Sequence, residues 1–376
     1  MQQPINVMMI SSSYPQGEKD WKSVFVSQML AALVNKPELR MTYWGPPGKL
    51  PEGVTFACLP SESSWLNQLM ENGGIVHQMR NGGVRRVTAP VKFLMLLHQG
   101  CKRQKQVDLY HVNWLQNALP LWRRKQPALI TVLGSDLGLL KFPGMAMLLR
   151  KVLKNRRCVL APNADWMVDD LKLRFGDLAQ VIPIPLGIND EWFALEEKRQ
   201  ILSPNKWLVV ARVTHKKMGP LFDWGKNIFG TGSERELHLF GPMQEDVNIP
   251  AWVHYHGATY PEALQNDWFP GATGLITTSQ HDEGRPQVML EAMAAGVPII
   301  ASNIPAHRNF ITHQETGWLV DSEEEFYSGI KWLSSVQNNR SMALAARKWV
   351  KEEVGTWSDC ANRYLDVYRL LLSDTK

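Results

Sequence analysis

Residues 279–301 read SQHDEGRPQVMLEAMAAGVPIIA and contain the clearest structural signals in the chain. Pro286 suits the first position of a helix, because its fixed φ is helical and its missing N–H would have no partner there. Gly296 is typical of the residue that ends a helix, and Pro298 prevents the helix from continuing. The stretch therefore predicts a loop, a helix from Pro286 to Ala295, and a strand after it.

The same alternation of short apolar runs and amphipathic segments extends over the whole chain, which is typical of parallel βαβ units. The runs at 5–13 and 207–213 would each begin a sheet, and the polar, proline-containing segment 196–206 would link them. We predict an α/β fold of two doubly wound Rossmann-like domains facing across a cleft. The predicted domains are residues 1–195, residues 196–355, and a C-terminal helix over 356–376 that crosses back to the first domain.

The composition excludes several classes of protein. Hydrophobic residues make up 44% of the chain and charged residues 20%, as in soluble globular proteins. There is no signal-peptide pattern and no apolar run of about 18 residues that could span a bilayer. The four cysteines lack the spacing of a zinc site or a disulfide framework, which suits a reducing cytosol. We therefore expect a cytoplasmic protein.

The helix start in the opening stretch predicts an anion site, because ligands of such sheets bind beyond the carboxyl ends of the strands. The first backbone N–H groups, those of Gln287, Val288 and Met289, would have no helical partner and could bind a phosphate. Glu291 follows on the same helix among small and apolar residues. Its spacing leaves two interpretations, a solvent-facing carboxylate or one that binds the hydroxyls of a polyol. A nucleotide sugar would supply both the anion and the polyol.

A family resemblance favours the second interpretation. The segment E-G-R-P-x-V-x-L-E-A-M-A-x-G-V-P at 283–298 resembles the signature of retaining GT-B glycosyltransferases of family 4, the group 1 type. ARVTHKKMG (211–219) is similar to that family's G-R-x4-K-G segment, and DLYHVNW (108–114) and VLGSD (132–136) resemble shorter motifs of its N-terminal half. The resemblance implies the GT-B fold and a retaining transfer from a nucleotide diphosphate sugar to a glycan or lipid-linked acceptor. It also implies a place in cell-surface polysaccharide or lipopolysaccharide biosynthesis.

The resemblance assigns roles to individual residues. It places Glu291 at the ribose hydroxyls, Glu283 near the transferred sugar, and Arg212 and Lys217 on the diphosphate. Cations aimed at the leaving phosphate would stabilise the charge that develops there. The implied donor-binding set is Gly17, Arg212, Lys217, Glu283, Gly284, Arg285, Pro286, Gln287, Val288 and Glu291.

One position departs from the family pattern. Leu133 stands where the family usually has a histidine, so His111 is the remaining histidine candidate near the donor sugar. The candidate catalytic residues are Glu283, His111, Arg212 and Lys217. The chain contains no D-x-D pair to hold a metal on a nucleotide diphosphate, so we expect neither a metal nor a cofactor.

Basic residues are concentrated in the first half of the chain. Residues 72–157 carry 16 Lys and Arg against two Asp and Glu. Scattered charge is usually just solvated, but this excess favours an anionic partner. No nucleic-acid-binding module is present, so we predict an anionic membrane and peripheral association with the inner face of the cell membrane. The residues predicted to face the acceptor or the membrane are Lys102, Arg103, Lys105, Arg123 and Arg124.

Two other functions remain open on the same fold. A catalytically silent GT-B scaffold would bind no donor, and Leu133 is the feature that points to it. A GT-B nucleotide-sugar epimerase would release a free sugar or an epimer without needing an acceptor.

Overall fold

The computed structural model describes residues 3–17, 20, 23–81, 83, 85–199, 206–280 and 284–373. The chain divides into two compact units, Met1–Leu186 with Trp357–Lys376 and Gly187–Thr356. The division precedes the predicted linker, because Trp192 and Leu195 are buried in the core of the second unit. The C-terminal segment belongs to the first unit.

The first unit is built on a sheet that, within the described residues, has seven parallel strands in the order β3-β2-β1-β4-β5-β6-β7. The strands are β1 (Ile5–Ile10), β2 (Leu39–Trp44), β3 (Thr55–Phe56), β4 (Leu109–Asn113), β5 (Ala128–Val132), β6 (Cys158–Pro162) and β7 (Gln180–Val181). The helices are α1 (Val24–Val34), α2 (Pro60–Glu71), α3 (Gly74–Asn81), α4 (Arg85–Arg103), α5 (Met145–Leu153) and α6 (Val168–Phe175). Short 3-10 segments cover Leu115–Leu121, Ser135–Lys141 and Asp165–Met167.

The second unit has, among the described residues, six parallel strands in the order β10-β9-β8-β11-β12-β13. They are β8 (Lys206–Val210), β9 (Glu236–Phe240), β10 (Val253–Gly257), β11 (Gly274–Thr277), β12 (Ile299–Ser302) and β13 (Trp318–Val320). The helices are α7 (Asp190–Phe193), α8 (His215–Met218), α9 (Leu221–Phe229), α10 (Pro261–Ala263), α11 (Gln287–Ala294), α12 (Pro305–Arg308), α13 (Glu323–Leu333) and α14 (Val336–Glu353). The remaining turns are 3-10 segments at Ala194–Lys198 and Phe269–Gly271 and a π segment at Leu264–Trp268. The last helix, α15 (Trp357–Leu372), returns to the first unit.

Each sheet is buried on both faces, as parallel sheets require. In the first unit, α2, α4, α5 and α6 cover one face, while α1 and α15 cover the other. In the second unit, α11 and α14 cover one face, and α9 and α13 cover the other. The central strands are accordingly almost entirely apolar, which explains why the sequence pattern identifies them so clearly.

The helix predicted from the opening stretch is α11. Its predicted end is confirmed, because Ala295 is the C-cap, Gly296 follows with φ 72°, and the Val297 N–H donates to the Ala292 carbonyl at 2.8 Å. Its predicted start is one residue too early. Pro286 has an extended ψ of 113° and caps the helix, which begins at Gln287.

Among the described residues, no helix combines the length and the apolar character needed to cross a membrane.

Candidate functional site

Two loops meet at the carboxyl edge of the second sheet, where the strand order reverses between the neighbours β8 and β11. The chain leaving β8 forms α8, and the chain leaving β11 leads to α11. Hydrogen bonds join the two exits: Thr278 Oγ1 donates to the Met218 carbonyl at 2.6 Å, and the Gln280 N–H donates to the Lys216 carbonyl at 2.8 Å. These bonds fix the backbone on both sides of Lys217. Such a reversal point is where doubly wound sheets bind their ligands.

Gly219 allows the two loops to approach this closely. It has φ 50° and ψ −133°, a conformation that strains any residue with a Cβ. A Cβ at this position would lie 2.2 Å from the Thr278 carbonyl oxygen. The glycine is therefore required both by its backbone angles and by its contact with β11.

Lys217 is the most strongly perturbed cation of this edge. Burial, together with the charge of nearby Arg212, lowers the pKa of its amine to about 7. Arg212 itself is exposed, and its Nη1 donates to Gln244 Oε1 at 3.4 Å. Bringing two like charges together costs free energy unless an anion binds between them. This pair therefore suits a polyanionic ligand, as the sequence predicts for the two residues.

The start of α11 contributes backbone donors to the same edge. The N–H groups of Gln287 and Val288 precede the first helical hydrogen bond and carry the positive end of the helix dipole. The prediction was wrong for Met289, whose N–H donates to the Pro286 carbonyl at 3.2 Å. The side chain of Gln287 donates through Nε2 to the Gly187 carbonyl at 2.7 Å, which anchors the helix start within the second unit.

Gly284 is buried just ahead of α11, and Arg285 and Pro286 are partly buried beside it. Glu283 lies outside the described residues, so the role predicted for it stays a prediction.

Glu291 lies on α11 between buried neighbours, Leu290 and Ala292. Its side chain retains some exposure, and yet burial raises the pKa of its carboxyl to about 7. Burial of this kind removes solvation from the charged form of the carboxyl. Of the two interpretations that the sequence left open, the solvent-facing one does not fit this environment.

His111 does not occupy the position that the sequence predicts for it. It lies within β4 and is fully buried, with Nδ1 2.5 Å from the Tyr368 hydroxyl and Nε2 2.9 Å from Thr131 Oγ1. Burial lowers its pKa to about 3, so it stays neutral. The pattern D-x-x-H placed this histidine near the strand end, but its side chain points into the core and fastens α15 to the sheet.

The loops that follow β1 and β5 lie at the carboxyl edge of the first sheet. Gly17, predicted to bind the donor, is exposed in the loop after β1, and its carbonyl accepts the Asp20 N–H at 3.1 Å. After β5, buried Asp136 accepts the N–H of Leu133 at 2.9 Å and that of Leu115 at 3.2 Å. Burial raises the pKa of Asp136 to about 6. This carboxyl shapes the loop that contains Leu133.

The predicted basic residues lie at the other edge of the first sheet. Lys102, Arg103 and Lys105 precede β4, and Arg123 and Arg124 precede β5, so all five lie at amino ends of strands. Arg103 pairs with buried Glu62 at 2.5 Å, and Arg123 stacks on Trp122 with its Cζ 4.3 Å from the ring centre. They lie away from the carboxyl edge, where ligands of such sheets bind, and their role at the acceptor or the membrane stays a prediction.

The sequence analysis missed one polar residue of the second unit. His307, on α12 after β12, is fully buried, and burial together with the charge of Lys217 lowers its pKa to about 4. No distinctive pattern in the sequence indicates it.

Within the part of the chain that the structure describes, no three His, Cys, Asp or Glu side chains are grouped so that they could hold a metal ion.

Comparison with known proteins shows what the second unit is similar to. Residues 208–335 match the family model described as glycosyl transferases group 1, so this part of the chain is similar to that family. The D-inositol 3-phosphate glycosyltransferase of Rhodococcus jostii is 32% identical over 143 residues, which are 38% of this chain and 31% of that protein. The matches span about a third of the length of the first curated relatives, between 31% and 33%.

Solved structures extend the likeness to the whole fold. Sucrose-phosphate synthase from Thermosynechococcus elongatus superimposes with a TM-score of 0.70 at 17% identity, over 99% of this chain and 100% of that one. HepE from Anabaena, solved in complex with UDP-glucose, gives a TM-score of 0.66 at 13% identity, over 98% and 100%. The chain therefore has the α/β fold of GT-B glycosyltransferases, with two Rossmann-like domains, and that prediction is confirmed.

Proposed function

We propose that the protein is a retaining glycosyltransferase that uses a nucleotide diphosphate sugar. The observation that carries this proposal is the pairing of Lys217 and Arg212 with the start of α11 at one sheet edge of a domain similar to group 1 glycosyltransferases. Partly buried Lys217, exposed Arg212 and the helix start place positive charge at a strand-order reversal, which suits a diphosphate.

The donor would lie along this edge with each part matched to a different group. The diphosphate takes Lys217, Arg212 and the N–H groups of Gln287 and Val288. The ribose hydroxyls donate to Glu291, and a hydrogen bond to this carboxylate stabilises it in an environment that raises its pKa. Gly284 and the side chain of Arg285, just ahead of the helix, lie towards the sugar, together with the Glu283 proposed from the family resemblance.

The reaction breaks the bond between the sugar anomeric carbon and the diphosphate oxygen. A hydroxyl oxygen of the acceptor forms the new bond on the same face of the sugar, and its proton leaves with the diphosphate. Positive charge of the protein stabilises the departing diphosphate, so the proposed mechanism needs no metal. Each charge-assisted hydrogen bond to the phosphates contributes about 1.5–3 kcal/mol.

Incubation with UDP-glucose, GDP-mannose and ADP-glucose tests the activity. A glycosyltransferase releases the nucleoside diphosphate slowly without an acceptor, and NMR of the transferred or released sugar shows the configuration of the donor retained. A scaffold neither binds nor consumes a donor, and an epimerase produces an epimer or a free sugar at a rate that an acceptor does not change. An inverted configuration would contradict the retaining mechanism.

The acceptor is proposed to be a glycan or lipid-linked glycan presented at an anionic membrane, on the inner face of the cell membrane. The supporting surface is the segment from Lys141 to Leu148, which follows β5 and starts at the carboxyl edge. Phe142, Met147 and Leu148 are 54%, 58% and 46% exposed there, beside exposed Lys141. Apolar side chains can enter the lipid, while each cation contributes about 1 kcal/mol at an anionic surface.

Flotation with phosphatidylglycerol-containing vesicles tests this surface. The variant Lys141→Glu is expected to weaken vesicle binding. The variant Lys102→Glu changes the net charge equally at the amino edge and is expected to keep most of it. Equal losses in both variants would contradict the assignment to the carboxyl edge, and no binding by the unaltered protein would refute the membrane proposal.

A further inference from the structure

A third loop joins the two that form the proposed donor site. It leaves β12, the neighbour of β11, and is held by Ser302, whose Oγ donates to the Ser279 carbonyl at 2.5 Å. His307 lies in this loop, in α12, with none of its surface exposed. Side-chain hydrogen bonds therefore connect the loops after β8, β11 and β12 at the carboxyl edge of the second sheet.

The hydrogen bonds of His307 define its tautomer. Its Nδ1 lies 2.8 Å from the Ser302 carbonyl oxygen, which can only accept, so Nδ1 carries the proton. Nε2 then presents a lone pair. Among the described residues, this buried nitrogen has no hydrogen-bond partner. A buried acceptor without a partner costs free energy and needs an explanation.

The group facing this lone pair has to be a hydrogen-bond donor. Phosphate oxygens only accept, so a neutral imidazole cannot bind them through Nε2. Lys217 and His307 are both held against residues 278–280: the neighbours of Lys217 bond to Gln280 and Thr278, and Ser302 bonds to Ser279 between them. The charge of Lys217 also lowers the pKa of the His307 ring. The ring is therefore neutral and close to an ammonium group that has three N–H donors.

We propose that His307 is a positioning residue: its Nε2 accepts a hydrogen bond from the Lys217 ammonium and aims it at the diphosphate when the donor binds. This inference rests on the proposed function. The diphosphate restores the proton of Lys217, and the ammonium then divides its N–H groups between phosphate oxygens and the imidazole. The proposal needs no titratable group besides Lys217 and His307. Arg212 only donates hydrogen bonds, so it cannot be the acceptor for the Lys217 ammonium.

Two substitutions separate this role from a purely structural one. His307→Asn keeps a donor near the position of Nδ1 for the Ser302 carbonyl but removes the acceptor at Nε2. His307→Gln places an amide oxygen near the position of Nε2 and gives up the bond to Ser302. Their binding of UDP, GDP, ADP and UDP-glucose is measured by calorimetry, with thermal unfolding as the check on folding.

We expect His307→Asn to lower the affinity for the nucleoside diphosphate that the unaltered protein binds by roughly tenfold. This factor corresponds to the loss of one charge-assisted hydrogen bond. His307→Gln should recover most of this affinity. Within each variant, the affinity for UDP and the affinity for UDP-glucose should change by the same factor, because Lys217 contacts the diphosphate that the two ligands share. His238→Asn, a buried histidine of β9 in the same unit, is the control and should not change affinity.

Four outcomes would overturn the inference. If His307→Gln loses more affinity than His307→Asn, the bond to Ser302 matters and the role is structural. If only UDP-glucose is weakened, Nε2 binds a sugar hydroxyl instead of Lys217. If neither variant changes affinity while Lys217→Met abolishes it, the proposed function stands without His307. If no nucleoside diphosphate binds the unaltered protein, the proposed function fails and this inference fails with it.

Discussion

Replacing Glu291 with glutamine should make the protein more stable and a poorer binder of its donor. The pKa of this carboxyl rises from 4.5 to about 7 on folding, because burial disfavours its charge. The folded state therefore holds a proton that the unfolded state releases, and stability falls as pH rises from 4.5 to 7. At 1.36 kcal/mol for each pH unit, the loss above pH 7 is at most about 3 kcal/mol.

Glutamine has no charge to desolvate, so Glu291→Gln should remove this loss. Urea unfolding should show the variant more stable than the unaltered protein by up to about 3 kcal/mol at pH 8, with the difference vanishing near pH 4.5. The variant Glu262→Gln changes an exposed glutamate of the same unit and should leave stability unchanged at both pH values. The amide still accepts a hydrogen bond but loses the ionic strengthening, so affinity for the nucleotide sugar that the unaltered protein binds should fall about tenfold.

For Glu291→Gln, stability at pH 8 must rise while affinity for the donor falls. A variant that is less stable at pH 8 would mean that the carboxylate already has stabilising partners in the free protein. A more stable variant that binds the donor with unchanged affinity would remove Glu291 from the ribose site. Either result would refute the reasoning that hydrogen bonds from ligand hydroxyls offset the free-energy cost of burying this carboxylate.

Three further predictions follow from the same structure. The pKa of Lys217 is about 7, so its amine loses the proton as pH rises above 7. Affinity for the nucleotide sugar that the unaltered protein binds should therefore fall between pH 6 and pH 8.5 by up to about tenfold per pH unit, and calorimetry should show a flat profile for Lys217→Arg. Gly219→Ala places a Cβ against the Thr278 carbonyl at positive φ and should cost about 1–3 kcal/mol in urea unfolding. Gly271→Ala adds a Cβ that meets no other atom and should be neutral, so equal effects would contradict the strain. His111→Phe removes two buried hydrogen bonds and should cost about 1–3 kcal/mol of stability without changing affinity for the nucleotide sugar; lost affinity in a folded variant would restore its predicted catalytic role.

The features that sequence predicts well are local and periodic. The apolar strands of both sheets and the end of α11 at Gly296 follow directly from residue type, since hydrophobic burial and a left-handed C′ residue leave few alternatives. The start of α11 is off by one residue, because Pro286 is compatible with both the cap and the first helical position.

Site residues are predicted less well because their roles depend on neighbours distant in the sequence. His111 looks like a strand-end residue until α15 supplies Tyr368, 257 positions away. The basic residues from Lys102 to Arg124 form a cluster in sequence, but strand direction places them at the amino edge. His307 has no distinctive motif, and its buried Nε2 is visible only once β12 and β8 are placed in one sheet.

The most direct test of the donor site is hydrogen–deuterium exchange of the full chain with and without UDP-, GDP- and ADP-sugars. The account predicts that at least one of them slows exchange in the two peptides covering 211–219 and 284–291, and that Lys217→Met abolishes this protection. Protection confined to other segments, or none with any of the three, would contradict the assignment of the donor to this edge of the second sheet.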